Sequence, residues 1–204
     1  MSYKLEVNAI RAMADFMEAA PDITPQAASL AMNTVIPRKG MVRYKKAMKS
    51  QIGFPGGYID DVERFGVSRY ATPGHLEAAI TARQRPTSLA RFATSGGVGH
   101  EGVTVRVKAG RSTHLKRAFM VRLRQGTMLD DENFNLGLAV RIPGGEAAVR
   151  NKKDKSRMVH LAKDVFLLYG PSVDQVFRGV SVTETPHVLN DIEAEFYRQF
   201  ARLS

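Results

Sequence analysis

Five histidines, an acidic triplet, a glycine-rich loop and a serine after Gly-Pro are the residues of this chain that invite a chemical reading. His75, His100, His114, His160 and His187 include no pair at i, i+3 or i+4, so no helix can offer two of them to one metal ion. His100-Glu101 could serve as an acid-base or metal pair, but further ligands at a suitable spacing are missing. Ser95-Gly96-Gly97-Val98-Gly99 looks like a phosphate loop without its Gly-Lys-Ser/Thr ending, so the lysine and the metal-binding hydroxyl are lacking. Asp130-Asp131-Glu132 lacks the spaced oxygens and the glycine of a calcium loop. Ser172 has no Gly-x-Ser-x-Gly elbow and reads as a helix N-cap. The absence of cysteine excludes disulfides, thiol catalysis and cysteine-based zinc sites. The expectation is a protein that is not an enzyme and needs no cofactor or metal; a hydrolase built on His100 and Glu101 is the weakest alternative.

Cationic residues are the second chemical resource. The 204 residues carry 30 Lys and Arg against 20 Asp and Glu, a formal charge of +10. Such a surplus calls for a polyanionic partner or an acidic protein surface. The charge falls in blocks. Arg38, Lys39, Arg43, Lys45, Lys46 and Lys49 stand without an acid among them. Residues 83–124 hold Arg83, Arg85, Arg91, Arg106, Lys108, Arg111, Lys116, Arg117, Arg122 and Arg124 against Glu101 alone. Residues 150–163 add Arg150, Lys152, Lys153, Lys155, Arg157 and Lys163 against Asp154. The first block, with Arg106, Lys108, Arg111, Lys116 and Arg117, is the expected contact for double-stranded DNA backbone or for an acidic partner. With no Trp, and Tyr44 the only aromatic in the first block, base stacking is disfavoured and contact would be to phosphates. Two other readings stay open: solvated basic faces, and pairing with acids of neighbouring subunits.

These residues must be positioned by elements that the pattern outlines. Leu5, Ala9, Met13, Phe16 and Ala20 form a stripe that predicts a helix over 4–20. A second helix is expected over 25–36, capped by Thr24, with Pro25 in its first turn and Ala27, Ala28 and Ala31 small enough for close packing. Pro37 should break it before a basic helix over 38–52, with Met41, Met48 and Ile52 as its apolar positions. A turn over 54–58 and a short helix through Ile59, Val62 and Phe65 follow. Strand, turn and strand are expected over 67–83, a helical turn over 87–92 and a loop over 94–102. Further strands are expected over 103–107, 119–123, 136–142 and 165–169, with a Gly/Lys-rich loop over 143–157. One helix should begin near Ser172 and another at Pro186, the latter with the stripe Leu189, Ile192, Phe196, Phe200 and Leu203. The sum is an α+β protein: N-terminal and C-terminal helices packed on a small, mainly antiparallel β-sheet, with basic loops or a hairpin. A single domain over 1–204 is expected, with a helical N-terminal region over residues 1–66, a β-rich region over 67–182 and a C-terminal helix over 183–204. No apolar stretch approaches the roughly 18 residues needed to span a bilayer, and the first residues lack the apolar run of a signal peptide.

One motif is more specific. Leu168-Tyr169-Gly170-Pro171-Ser172-Val173, followed by Val176 and Phe177, resembles the signature of the prophage minor tail protein Z family, a set of phage tail-completion proteins. Ile52-Gly-Phe-Pro-Gly-Gly-Tyr58 and Ala82-Arg-Gln-Arg-Pro-Thr-Ser-Leu-Ala-Arg-Phe92 are similar to further stretches of that family. The resemblance covers most of the chain. It implies a virion component at the head-proximal end of the tail, made in the host cytoplasm. It also implies a homo-oligomer, a hexameric ring, that joins neck and tail-tube proteins and helps to position DNA, with no membrane partner and no catalytic residues. Pro171 would fix a rigid turn, and Leu168, Tyr169, Gly170, Ser172, Val173, Val176 and Phe177 would form a structural or interface motif. A basic, sequence-independent DNA-binding accessory protein is the alternative.

Overall fold

The computed structural model describes residues 2–5, 20–98, 100–123, 135–145 and 158–204. Its helices lie in the N-terminal and C-terminal regions and its sheets are antiparallel, so the fold is α+β. The chain divides into two compact units. Unit 1 is Met1–Met48, Gly57–Gln84 and Val173–Ser204; unit 2 is Lys49–Gly56 and Arg85–Ser172. This division cuts across the three expected regions, which were bounded at residues 66 and 182, because unit 1 draws on all of them.

Unit 1 opens on β1 (Ser2–Leu5), so Lys4 and Leu5 belong to a strand and not to the expected helix, whose residues 6–19 lie outside the described residues. Pairing with a distant strand decides this, since local spacing competes poorly with a sheet partner. Helix α1 (Ile23–Val35) begins before Thr24, which is fully buried and donates its hydroxyl back to the carbonyl of Ala20 at 2.9 Å instead of capping the helix. Pro37 does not break the chain's helical course. The missing N–H and the ring's crowding are accommodated by a π turn, Ile36–Gly40, closed by Met41 N–H on the carbonyl of Ile36, and α2 (Met41–Gln51) continues from it. No helix forms over 59–65. Asp61 accepts from the backbone of Glu63 and its carbonyl from Arg64 and Phe65, a turn that delivers Phe65 into β2 (Phe65–Arg69). Thr72 and His75 exchange backbone bonds around Pro73-Gly74, and the chain returns as β3 (Ala78–Ala82). The sheet order is β1-β3-β2, with Tyr3 opposite Ile80 and Val67 opposite Ile80 on its other side. The amide of Asn33 brackets Ala71, donating to its carbonyl at 2.8 Å and accepting from its N–H at 2.9 Å.

Helix α3 (Val173–Leu203) is one 31-residue element, not two. Pro186 lies inside it. The carbonyl deprived of a partner is that of Val182, a residue 77% exposed, so the lost bond falls on the solvent side where it costs least. Helices α1 and α3 pack together, and Ala27 and Ala31 of α1 are fully buried. Tyr44, Phe65 and Phe177 meet ring to ring at the centre, with Tyr44 5.1 Å and Phe65 5.0 Å from Phe177.

Unit 2 is built from strands. A short 3-10 turn (Leu89–Phe92) leads into β4 (Ala93–Ser95), β5 (Val103–Val105) and β6 (Thr113–Leu115), a three-stranded sheet in that order. A second sheet has the order β7-β8-β10-β9, from β7 (Ala118–Leu123), β8 (Asn135–Arg141), β9 (Met158–Ala162) and β10 (Val165–Leu168). The strands expected to share one sheet are therefore distributed over two. Val103, Val105, Ala118, Met120 and Leu138 gather with Phe92 and Ala90 into this unit's core, against which Ile52, Phe54, Leu115 and Leu168 pack. Burial of each such large side chain contributes about 1.5–3 kcal/mol.

Candidate polyanion-binding surface

The expected cationic residues separate into two environments. Helix α2 turns Met41, Tyr44 and Met48 to the core of unit 1, which leaves its basic residues on the outer side. Lys39 reaches Asp191 at 3.5 Å, Arg43 reaches Glu184 at 3.5 Å and Asp191 at 3.9 Å, and Lys45 reaches Asp60 at 3.5 Å. Lys39, Arg43 and Lys45 are thus paired with acids of the same chain, the intramolecular form of the pairing considered for neighbouring subunits. Arg38 and Lys46 are exposed.

Arg106, Lys108, Arg111, Lys116 and Arg117 belong to unit 2 and are all exposed. Among the described residues none of them forms an ion pair; Arg106 donates from Nε to Ser112 Oγ at 3.4 Å. They lie around the β5–β6 hairpin, whose register sets Val103 opposite Leu115 and Val105 opposite Thr113. Arg106, Lys108 and Arg111 occupy the connecting loop at one end, and Lys116 and Arg117 the turn into β7 at the other. Val103 and Val105 turn into the core and Leu115 packs against it, while all five cations stand outside the strands.

The whole formal surplus resides in this unit. Unit 1 contains 13 Lys and Arg and 13 Asp and Glu; unit 2 contains 17 and 7, a difference of +10. Residues Arg124, Arg150, Lys152, Lys153, Lys155 and Arg157 contribute to that count but lie outside the described residues, as does Asp130-Asp131-Glu132.

The Gly-Pro motif is mostly interior. Gly170, Pro171, Ser172, Val173, Val176 and Phe177 are buried, and Leu168 and Tyr169 half-buried. Tyr169 pairs with Ser88 in an isolated bridge, and Gly170 N–H donates to the carbonyl of Thr87 at 2.7 Å. Gly170 does not have the positive φ that would reserve its position for glycine. Close packing does so instead, since a Cβ would stand 2.9 Å from Cε2 of Phe92. Ser172 directly precedes α3, the N-cap position.

Asp174 is a residue that the sequence reading does not single out as functional. Its side chain is buried, its Oδ2 pairs with Arg178 at 3.1 Å, and its Oδ1 accepts no hydrogen bond among the described residues. Burial raises its pKa above the usual 3.8. The position i, i+4 to Arg178 is a signal visible in the sequence; the burial is not. Burial likewise raises the Tyr44 phenol, against the hydrogen bond it shares with Thr185 at 3.0 Å. His100 and Glu101 are both exposed, and His114 shares a 3.1 Å contact between Nδ1 and Thr104 Oγ1. Among the described residues no group of three His, Asp or Glu could hold a metal ion, and no helix is long and apolar enough to cross a membrane.

Fold and surface together define the class: an α+β protein of two units, one with equal numbers of cations and acids, the other strongly cationic. The chain matches no family model, no curated protein and no solved structure.

Proposed function

We propose that this protein is a phage tail-completion component, a virion protein at the head-proximal end of the tail. It acts as an oligomer, a hexameric ring, which joins neck to tail tube and turns its cationic unit towards the DNA backbone. The resemblance of Leu168-Tyr169-Gly170-Pro171-Ser172-Val173 to the tail protein Z signature supports the assembly role. The single observation that carries the DNA contact is the concentration of all ten surplus charges in unit 2. Identical subunits around a ring would multiply that field. Deletion of the gene from its phage or prophage tests the reading. Full heads and tails that fail to join, with joining restored by the intact gene, are the expected result; normal infectious particles lacking the protein would overturn it.

A second reading, a sequence-independent DNA-binding accessory protein, is favoured by the exposed cations of the β5–β6 region alone. Imaging separates the two: rings or density at a particle end for the first, featureless complexes on DNA for the second.

A further inference from the structure

We infer that the tip of the β5–β6 hairpin is the surface that grips duplex DNA, through Arg106, Lys108 and Arg111, and that helix α2 is not. The inference deepens the proposed DNA contact and rests on that reading. Residues 108–114 are exposed without interruption, Lys-Ala-Gly-Arg-Ser-Thr-His. Arg111 N–H bonds the carbonyl of Lys108 at 3.1 Å, closing a turn whose third residue, Gly110, has φ +72°. Such a turn keeps the Cα atoms of Lys108 and Arg111 within about 7 Å. Two charges at that spacing suit a duplex that carries one phosphate charge per ~1.7 Å of axis.

The tip is held firmly enough to present them. The segment Gln51–Gly53 runs along it: Ala109 N–H donates to the carbonyl of Gln51 at 3.1 Å, and Gly53 N–H to that of Val107 at 2.8 Å. Ile52 stands opposite Lys108. A Cβ on Gly53 would lie 2.7 Å from the carbonyl oxygen of Arg106, so glycine is what allows this approach. A fixed backbone reduces the ordering cost of binding.

The chemistry of the tip selects the partner. Its other residues are small or carry polar side chains, as in Ser112, Thr113 and His114, and these suit phosphate oxygens. The exposed stretch has no large apolar side chain, and a protein partner would want a buried apolar or aromatic anchor. Among the described residues the exposed aromatics, Tyr70 and Tyr197, are in unit 1, and residues 108–114 include none of Phe, Tyr or Trp on which a single strand could stack.

The test is fluorescence anisotropy of a labelled duplex of about 30 base pairs, titrated with the full chain between about 50 and 200 mM salt. R106Q/K108Q/R111Q should make the salt slope shallower by about 2.7, three lost contacts at roughly 0.9 each. R202Q, at an exposed cation of α3, should leave the slope as it is, and K108R/R111K should retain it. Circular dichroism confirms that each variant is folded. An unchanged slope in the triple variant overturns the inference. So does a loss from K46Q as large as that from K108Q, which would assign the duplex to α2. Equal competition by polyglutamate, or tighter binding of a single strand, would also overturn it. A protein absent from virions that still binds through the tip would sink the tail reading alone; virion incorporation with a tip-independent slope would sink this inference alone.

Discussion

Unit 1 and unit 2 bury similar apolar side chains but treat charge in opposite ways. Unit 1 holds Lys39, Arg43 and Lys45 against Asp191, Glu184 and Asp60 and has equal numbers of cations and acids. Unit 2 leaves Lys108, Arg111, Lys116 and Arg117 exposed, without acid partners among the described residues. A run of cations in sequence is therefore a poor measure of surface charge. Lys39 and Asp191 are 152 positions apart, and only folding brings them together. A neutral scaffold and a charged strand unit keep cohesion and recognition in separate places. Removing a cation from unit 2 should weaken binding, and removing one from unit 1 should weaken the fold.

The largest effect that sharpens this contrast is expected in the aromatic centre of unit 1. Phe177→Ala removes the ring between Tyr44 and Phe65 and should cost about 3–5 kcal/mol in chemical denaturation. A loss below about 1 kcal/mol would mean that the rings are not the core of that unit. Gly53→Ala comes next and falls on unit 2. Its Cβ meets the backbone of Arg106, and the expected cost is about 1–3 kcal/mol, accompanied by weaker duplex binding as the tip loses its support. Unaltered stability and affinity would show that Gln51–Gly53 does not hold the hairpin.

How much of this is legible in the sequence differs between the same two regions. The alternation of Val103, Val105 and Val107 and the turn at Thr72-Pro73-Gly74 announce antiparallel strands, and the α+β class follows. Two prolines that read as helix boundaries, Pro37 and Pro186, prove interior to helical stretches, Pro37 through a π turn and Pro186 through its solvent side. Periodicity at Ile59, Val62 and Phe65 mimics a helix, yet Val62 is 75% exposed and Phe65 begins a strand. For the candidate surface, the basic residues are visible as types. Which of them are neutralised depends on acids far along the chain, and local spacing carries no trace of that. The need for glycine at 53 and 170 is likewise set by a carbonyl and a ring that only the fold delivers.

A pH series tests charge within unit 1 itself, where two carboxyls of α3 should act with opposite sign. Burial raises the folded pKa of Asp174 above the usual 3.8. Its contribution to stability is fully present below that ordinary value and is lost as pH rises through the folded one. Glu195 is lowered from 4.5 to about 2, chiefly by the hydrogen bonds from Arg198, against burial and with help from Gln199. Its contribution is present above 4.5 and is lost as pH falls towards about 2. Glu195→Gln should therefore flatten the acid limb of a plot of denaturant midpoint against pH, and Asp174→Asn the limb above the usual aspartate range. Parallel curves for wild type and both variants would contradict the assignment.

The smallest effect is the most direct test of the comparison. Arg43→Gln removes a cation that is 41% exposed and touches both Glu184 and Asp191, so screening by solvent keeps its expected stability cost to about 0.2–1 kcal/mol. Arg111→Gln removes an exposed cation with no acid partner among the described residues, and its expected change in stability is within about 0.5 kcal/mol of zero, of either sign. Salt provides the leverage that these small numbers lack. Added salt screens the Arg43 pairs and should shrink the difference between wild type and R43Q, because the Debye length falls from about 10 Å at 0.1 M to about 3 Å at 1 M. The same salt should leave R111Q and wild type equally stable while erasing the difference in their affinity for duplex DNA. If R111Q loses stability and R43Q does not, charge holds unit 2 together, and the division between a paired scaffold and a free recognition surface is wrong.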